Sequence, residues 1–184
     1  IVLIALGISL ALRPWRMLRG GALLTPVLAT LVLLPWMWAL PRLHIAPVQL
    51  QWSGACLVLL MLGWPLAIPV LCLVGVLSGW FVPQPWPDVF DSILWLGMAP
   101  ATFAMLLGAL VRRLLGEHLF VYILGRGFLT TVICLFLSGA LAQWAGMRLG
   151  HGSDEFSSMV ARWLLAWGDG FFTGMWTAIF VAFK

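Results

Sequence analysis

The stretch WSGACLVLLMLGWPLAIPVLCLVGVLSGWF, Trp52 to Phe81, decides the fold. It is apolar over about 30 residues, whereas one bilayer crossing takes about 20. Gly63-Trp64-Pro65 interrupts it, and proline disfavours a helical conformation in the residue before it. The run therefore reads either as one overlong span or as two short helices turning at Gly63-Trp64-Pro65.

Apolar runs on both sides of it supply further spans. Ile1 to Leu12 reads as the remnant of a longer span, followed by Arg13, Arg16 and Arg19, then a span from about Gly21 to Leu40. Pro41 to Gln51 is a polar link holding Arg42, His44 and Pro47. Beyond Phe81, a link from Val82 to Asp91 carries three prolines and two aspartates. Spans are predicted over about Ser92–Leu110, Leu119–Met147 and Met159–Phe183, with a polar link at 148–158. Positive charge decides between the two readings of the central run, because cytoplasmic loops are enriched in Lys and Arg. If it is a hairpin, Arg13, Arg16, Arg19, Arg112, Arg113 and Lys184 face inside, against Arg42 and Arg148 outside. A single span would put Arg112 and Arg113 opposite the first arginine cluster. The expectation is a seven-helix all-α membrane bundle with the N-terminus outside, residues 1–184 forming one transmembrane domain.

Composition agrees with this. Hydrophobic residues make up 63% of the chain and charged residues 9%, with a mean hydropathy of +1.08; soluble domains carry about 25% charge. The net charge of +4 is a topology signal, and no basic stripe suggests nucleic acid. Cys56, Cys72 and Cys134 each sit in an apolar run without metal-ligand spacing and read as small buried hydrophobes. Trp15, Trp36, Trp64, Trp80, Trp86 and Trp144 fall near helix ends, as an interfacial belt would. The chain starts at Ile1 and stops at Lys184 just after an apolar run, which reads as a fragment.

One acid lies well inside a span: Asp169, in Trp167-Gly168-Asp169-Gly170-Phe171-Phe172-Thr173-Gly174. An ionised carboxylate at bilayer depth costs roughly 2.5–3.5 kcal/mol, so such residues mark function or a specific partner. It is a candidate site for a cation, a proton or a polar ligand, or the partner of a buried arginine. Arg126, in Gly125-Arg126-Gly127, is the obvious candidate, offset by about 10 Å of helix rise. Thr173, one turn on, adds a hydroxyl to the same face. Arg162 reads as snorkelling outward, and Glu117-His118 as an interfacial cap. His44 and His151 lack paired-ligand spacing, and Asp154-Glu155 reads as a solvated pair. No catalytic pair or nucleotide-binding motif is present, so the chain is not expected to be an enzyme.

The Gly168-Asp169-Gly170 run with Thr173 resembles the transition-metal S components of energy-coupling-factor transporters. These CbiM-like cobalt and nickel uptake subunits carry Gly-Glu-Gly and a threonine in a late span. Gly54-Ala55-Cys56-Leu57 through Leu62-Gly63-Trp64, Leu119 to Gly125, and Phe171-Phe172-Thr173-Gly174-Met175 are similar to the divergent proteobacterial branch of that family. The resemblance covers most of the chain from about residue 45. It implies a multi-pass subunit of the bacterial inner membrane that binds substrate and works with a T-component membrane protein and paired ATPases. The chain itself would hold no cofactor, with cobalt or nickel as transported ion. Metal-binding members use an N-terminal Met-His and a further histidine; here Gln51 stands before Trp52-Ser53-Gly54, and an amide is a poor substitute for imidazole toward these ions. Asp169, Gln51, His44, Arg126 and Thr173 are the candidate substrate-binding or gating residues. The alternative is a non-transporting membrane scaffold or assembly subunit with the same fold.

Overall fold

The computed structural model describes residues 1–18, 20–21, 23–40, 52–115, 121–146 and 155–182, and all their regular structure is helical. Helix α1 covers Val2–Ala11, the single turn α2 Trp15–Leu18, and α3 Leu24–Ala39. Helices α4 (Ala55–Leu62) and α5 (Trp64–Phe81) follow. Helix α6 (Trp86–Ser92) runs through a wide π-helical stretch, Ile93–Met98, into α7 (Ala99–Leu115). A second π-helical stretch, Val121–Leu129, leads into α8 (Thr130–Trp144), and α9 covers Glu155–Ala182. Among the described residues, four helices are long and apolar enough to cross a membrane: Trp64–Phe81, Trp86–Leu114, Leu124–Trp144 and Ser158–Ala182. Val2–Ala11 and Leu24–Ala39 are apolar but shorter.

The 52–81 run breaks at Gly63, whose φ of 76° and ψ of 158° lie in a region open essentially to glycine alone. Pro65, in the first turn of α5, has no N–H to waste at a position where none would be bonded. Contacts with the long Trp86–Leu115 rod give the direction of each half. Along α5, Trp64 meets Thr102, Leu71 meets Gly97, Gly75 meets Ile93 and Gly79 meets Val89, so the two run antiparallel. Along α4, Ser53 meets Leu96 and Cys56 meets Pro100, so these run parallel. Helices α4 and α5 are therefore a hairpin turning at Gly63.

Helix α4 is only half a crossing. Its 8 residues rise about 12 Å, against a hydrocarbon core of about 30 Å. It begins at mid-height of the bundle, beside Leu96 and Asp169, each well inside its own long helix. Its C-terminal end shares a level with the end of α1 and with α2, through Ser9 on the Pro65 carbonyl and Met17 beside Gly63. Arg13 and Arg16 follow α1, and Arg112 and Arg113 lie further along α7 in the same direction. Arg19, Arg42, Arg148 and Lys184 lie outside the described residues.

Between Phe81 and Ser92 the structure differs from the sequence reading. The link is confined to residues 82–85, and Trp86 to Asp91, expected in it, are helical instead. Pro87 falls in the first turn of α6, where a missing N–H costs nothing, and Asp88 adds a negative charge at that helix's positive end. Of the exposed tryptophans, Trp36, Trp80, Trp86 and Trp144 lie at the end opposite the arginines, with Trp36 stacked on Phe81, while Trp15 lies beside Arg16 at the arginine end.

The core lies between α3, α4, α5 and the Trp86–Leu115 rod, around the fully buried Trp38, Ile68, Leu71 and Val74. Large apolar side chains such as Leu3, Ile4, Val32, Leu33, Leu164 and Phe171 point outward. In water such a surface would be a liability; in lipid it needs no cover.

Candidate functional site

The chain enters α4 at mid-height through Trp52-Ser53-Gly54, and there Asp169 meets it. The backbone N–H groups of Ser53 and Gly54 both donate to Asp169 Oδ2, at 3.1 and 3.0 Å. Thr173 Oγ1 donates to Oδ1 over 3.4 Å. The carboxylate is 3% exposed. Helix N-termini leave N–H groups without internal partners and carry partial positive charge. A helix starting in the middle of an apolar bundle has no water to satisfy them. From another helix, Asp169 takes the N–H of the N-cap residue Gly54 and that of Ser53 just before it: hydrogen bonds to a charged acceptor contribute roughly 1.5–3 kcal/mol each, and two of them offset the roughly 2.5–3.5 kcal/mol cost of the buried charge.

Ser53 ties the cradle together. Its carbonyl accepts from Trp38 Nε1 at 3.0 Å, and its hydroxyl donates to the Leu96 carbonyl and accepts from Ala55 N–H at 3.2 Å. Helices α3, α4, α9 and the first π-helical stretch are thereby joined at one residue. The carbonyls of both π-helical stretches take hydroxyls: Trp95 from Ser138, Leu96 from Ser53, Gly125 from Thr130 and Gly127 from Thr131. Wide turns of this kind gather at functional sites. Gly54 sits at φ 63°, and a Cβ there would come within 2.7 Å of Leu34 Cδ1. The Trp52 indole lies near the same carboxylate without a well-formed hydrogen bond from its buried Nε1, while its ring packs edge-on against Phe172 at 5.3 Å.

Of the residues marked in the sequence, Asp169 and Thr173 come together here. Arg126, in the second π-helical stretch, lies at another level: its stem lies across Gly108 of α7, and the next residue, Gly127, packs on Thr177 of α9. Thr177 is two turns beyond Asp169, a rise of about 12 Å. Asp169 spends its Oδ2 on backbone N–H groups, a kind of partner the sequence reading had not considered. Arg162 lies half-buried with its stem across Gly139 of α8. Gln51, His44, Glu117, His118, His151 and Asp154 lie outside the described residues. Among the described residues no three His, Cys, Asp or Glu side chains come together as a metal site.

Ser53, Trp38 and Leu96 were not anticipated. Backbone donors leave no mark in a sequence. The one available signal was Ser53-Gly54 directly before an apolar run, which reads as a helix start.

Compared with known proteins, no family model, no curated protein and no solved structure matches the chain.

Proposed function

We propose that this chain is a CbiM-like substrate-binding subunit of an energy-coupling-factor transporter in the bacterial inner membrane. It takes a small solute from the outer face, with a divalent transition metal such as cobalt or nickel as the candidate substrate. A T-component membrane protein and paired ATPases supply the energy, and this chain catalyses nothing itself. Seven spans with the N-terminus outside complete the reading, and they put the arginine-bearing end in the cytoplasm.

One observation carries the proposal. Two of the sequence stretches on which the resemblance rests, around Gly54 and around Asp169, are 115 residues apart yet hydrogen-bonded at mid-height. A discontinuous helix starting at that depth is how many membrane transporters build a substrate site. The cradle also fixes Trp52, and so the point where the segment carrying Gln51 and His44 joins the bundle. A second reading, a non-transporting assembly subunit, draws on the way Ser53 and Asp169 spend their polar atoms on each other and on the backbone.

Equilibrium binding of cobalt and nickel to the full-length protein, and to Asp169→Asn and Gln51→His variants, tests the metal assignment. Saturable binding that Gln51→His tightens is expected, since imidazole suits these ions better than an amide. No binding above that of control membranes in any of the three sinks it.

A further inference from the structure

We propose that α4 is a gate: a short rigid segment pivoting at Gly63, latched closed at its free end by Asp169. This goes beyond the transport reading, since it concerns a moving part of this chain whatever the solute. Three observations carry it.

The first is the placing of the hinges. Helix α4 is bounded at both ends by glycines with positive φ, Gly54 at 63° and Gly63 at 76°. A few residues that absorb backbone rotation at the ends of a rigid element are what a hinged segment requires. The two are not equivalent. Gly54 is crowded by Leu34 Cδ1, whereas a Cβ at Gly63 would meet only the tip of Met17 at 3.7 Å. The open end is the pivot and the crowded end is the one that docks.

The second is the latch. At its N-terminal end the segment is held by Asp169 through backbone N–H groups of Ser53 and Gly54, beside the bonds that Ser53 makes to Trp38 and Leu96. These bonds form or break as a unit without any side chain of α4 changing rotamer. The third is what α4 occupies. It fills the half of the bundle between mid-height and the arginine-bearing end, lined by α5, α7 and α9, and its inward residues Ala55, Cys56, Val58 and Leu62 are almost fully buried. Swinging it about Gly63 exposes Cys56 and opens a route from the Asp169 cradle toward that end. In the closed state the same residues seal it.

Native cysteines report the motion. With Cys72 and Cys134 replaced by alanine, Cys56 is the sole thiol, and its rate of alkylation by N-ethylmaleimide follows the open population. Asp169→Asn keeps the shape and removes the charge, and it is expected to raise that rate about tenfold or more. In the reciprocal protein, with Cys56 and Cys134 replaced, the half-buried Cys72 of α5 is expected to react at an unchanged rate. An unchanged Cys56 rate overturns the gate, and so does an equal acceleration of Cys72, which would mean general loosening. Hydrogen exchange on the unaltered protein gives a test independent of any variant. Amides of α4 are expected to exchange together and about tenfold faster than those of α5. Equal protection of α4 and α5 overturns the proposal.

Discussion

Two seams flank the α4–α5 hairpin, and they are built on opposite principles. Helix α5 meets the Trp86–Leu115 rod along a dry seam, with Gly75 under Ile93, Gly79 under Val89 and Gly97 beside Trp38 and Leu71. Helix α4 meets α9 at a polar point, through Asp169, Ser53 and Gly54. Without a hydrophobic drive between helices in lipid, the first kind gains its stability from close packing spread over many atoms. The second adds a few directed bonds to the apolar packing of Ala55, Cys56, Val58, Leu59 and Leu62. Distributed packing resists motion everywhere along its length, whereas a directed latch yields when one group changes. The pair teaches which half of the hairpin is scaffold and which half is the working part.

The largest expected break in this contrast is Asp169→Ala. It strands two buried N–H groups, each costing about 1–3 kcal/mol, so a stability loss of about 2–5 kcal/mol is expected in reversible unfolding of the detergent-solubilised protein. Asp169→Asn is expected to lose less, because the amide oxygen still accepts. On the dry seam, Gly75→Ala drives a methyl into the fully buried Ile93. Overpacking of this kind costs about 1–3 kcal/mol. Pairing it with Ile93→Val is expected to recover part of the loss, while pairing it with Asp169→Asn is expected to be additive within about 0.5 kcal/mol. A double-mutant cycle in the same unfolding assay separates the two outcomes.

Smaller effects sharpen the polar point. Ser53→Ala removes the hydroxyl that donates to Leu96 and accepts from Ala55, and a loss of about 1–2 kcal/mol is expected. Thr173→Val keeps the shape and removes only a 3.4 Å bond to Asp169. At that length the bond is weak, and a loss of about 0.5 kcal/mol or less is expected. A Thr173 effect as large as that of Ser53 would shift the weight of the site from the α4 cap to α9.

Much of the fold was legible because it rests on local signals. The all-helical class and the order of the long apolar helices follow from apolar run length, and the break at Gly63 from glycine and proline side by side. The hairpin was chosen by arginines alone, and Arg13, Arg16, Arg112 and Arg113 do lie toward one end. The start of α6 was missed because Pro87 and Asp88 mark links and helix first turns equally well. At the site, Asp169 stood out by the cost of its charge, and Thr173 by its one-turn spacing. Its partners did not, because two are backbone N–H groups and the third tie, Ser53 to Leu96, depends on a carbonyl in a π-helical stretch. A sequence specifies such a stretch only through how neighbouring helices pack.

Asp169 pins the start of α4 in the middle of the bundle. The decisive measurement is residue-resolved hydrogen exchange of the Ser53 and Gly54 amides, compared between the native protein and Asp169→Asn. Both amides are expected to lose protection by about tenfold or more in the variant, with the amides of α5 unchanged. Ser53 and Gly54 amides that exchange at the native rate without the charge of Asp169 would contradict it.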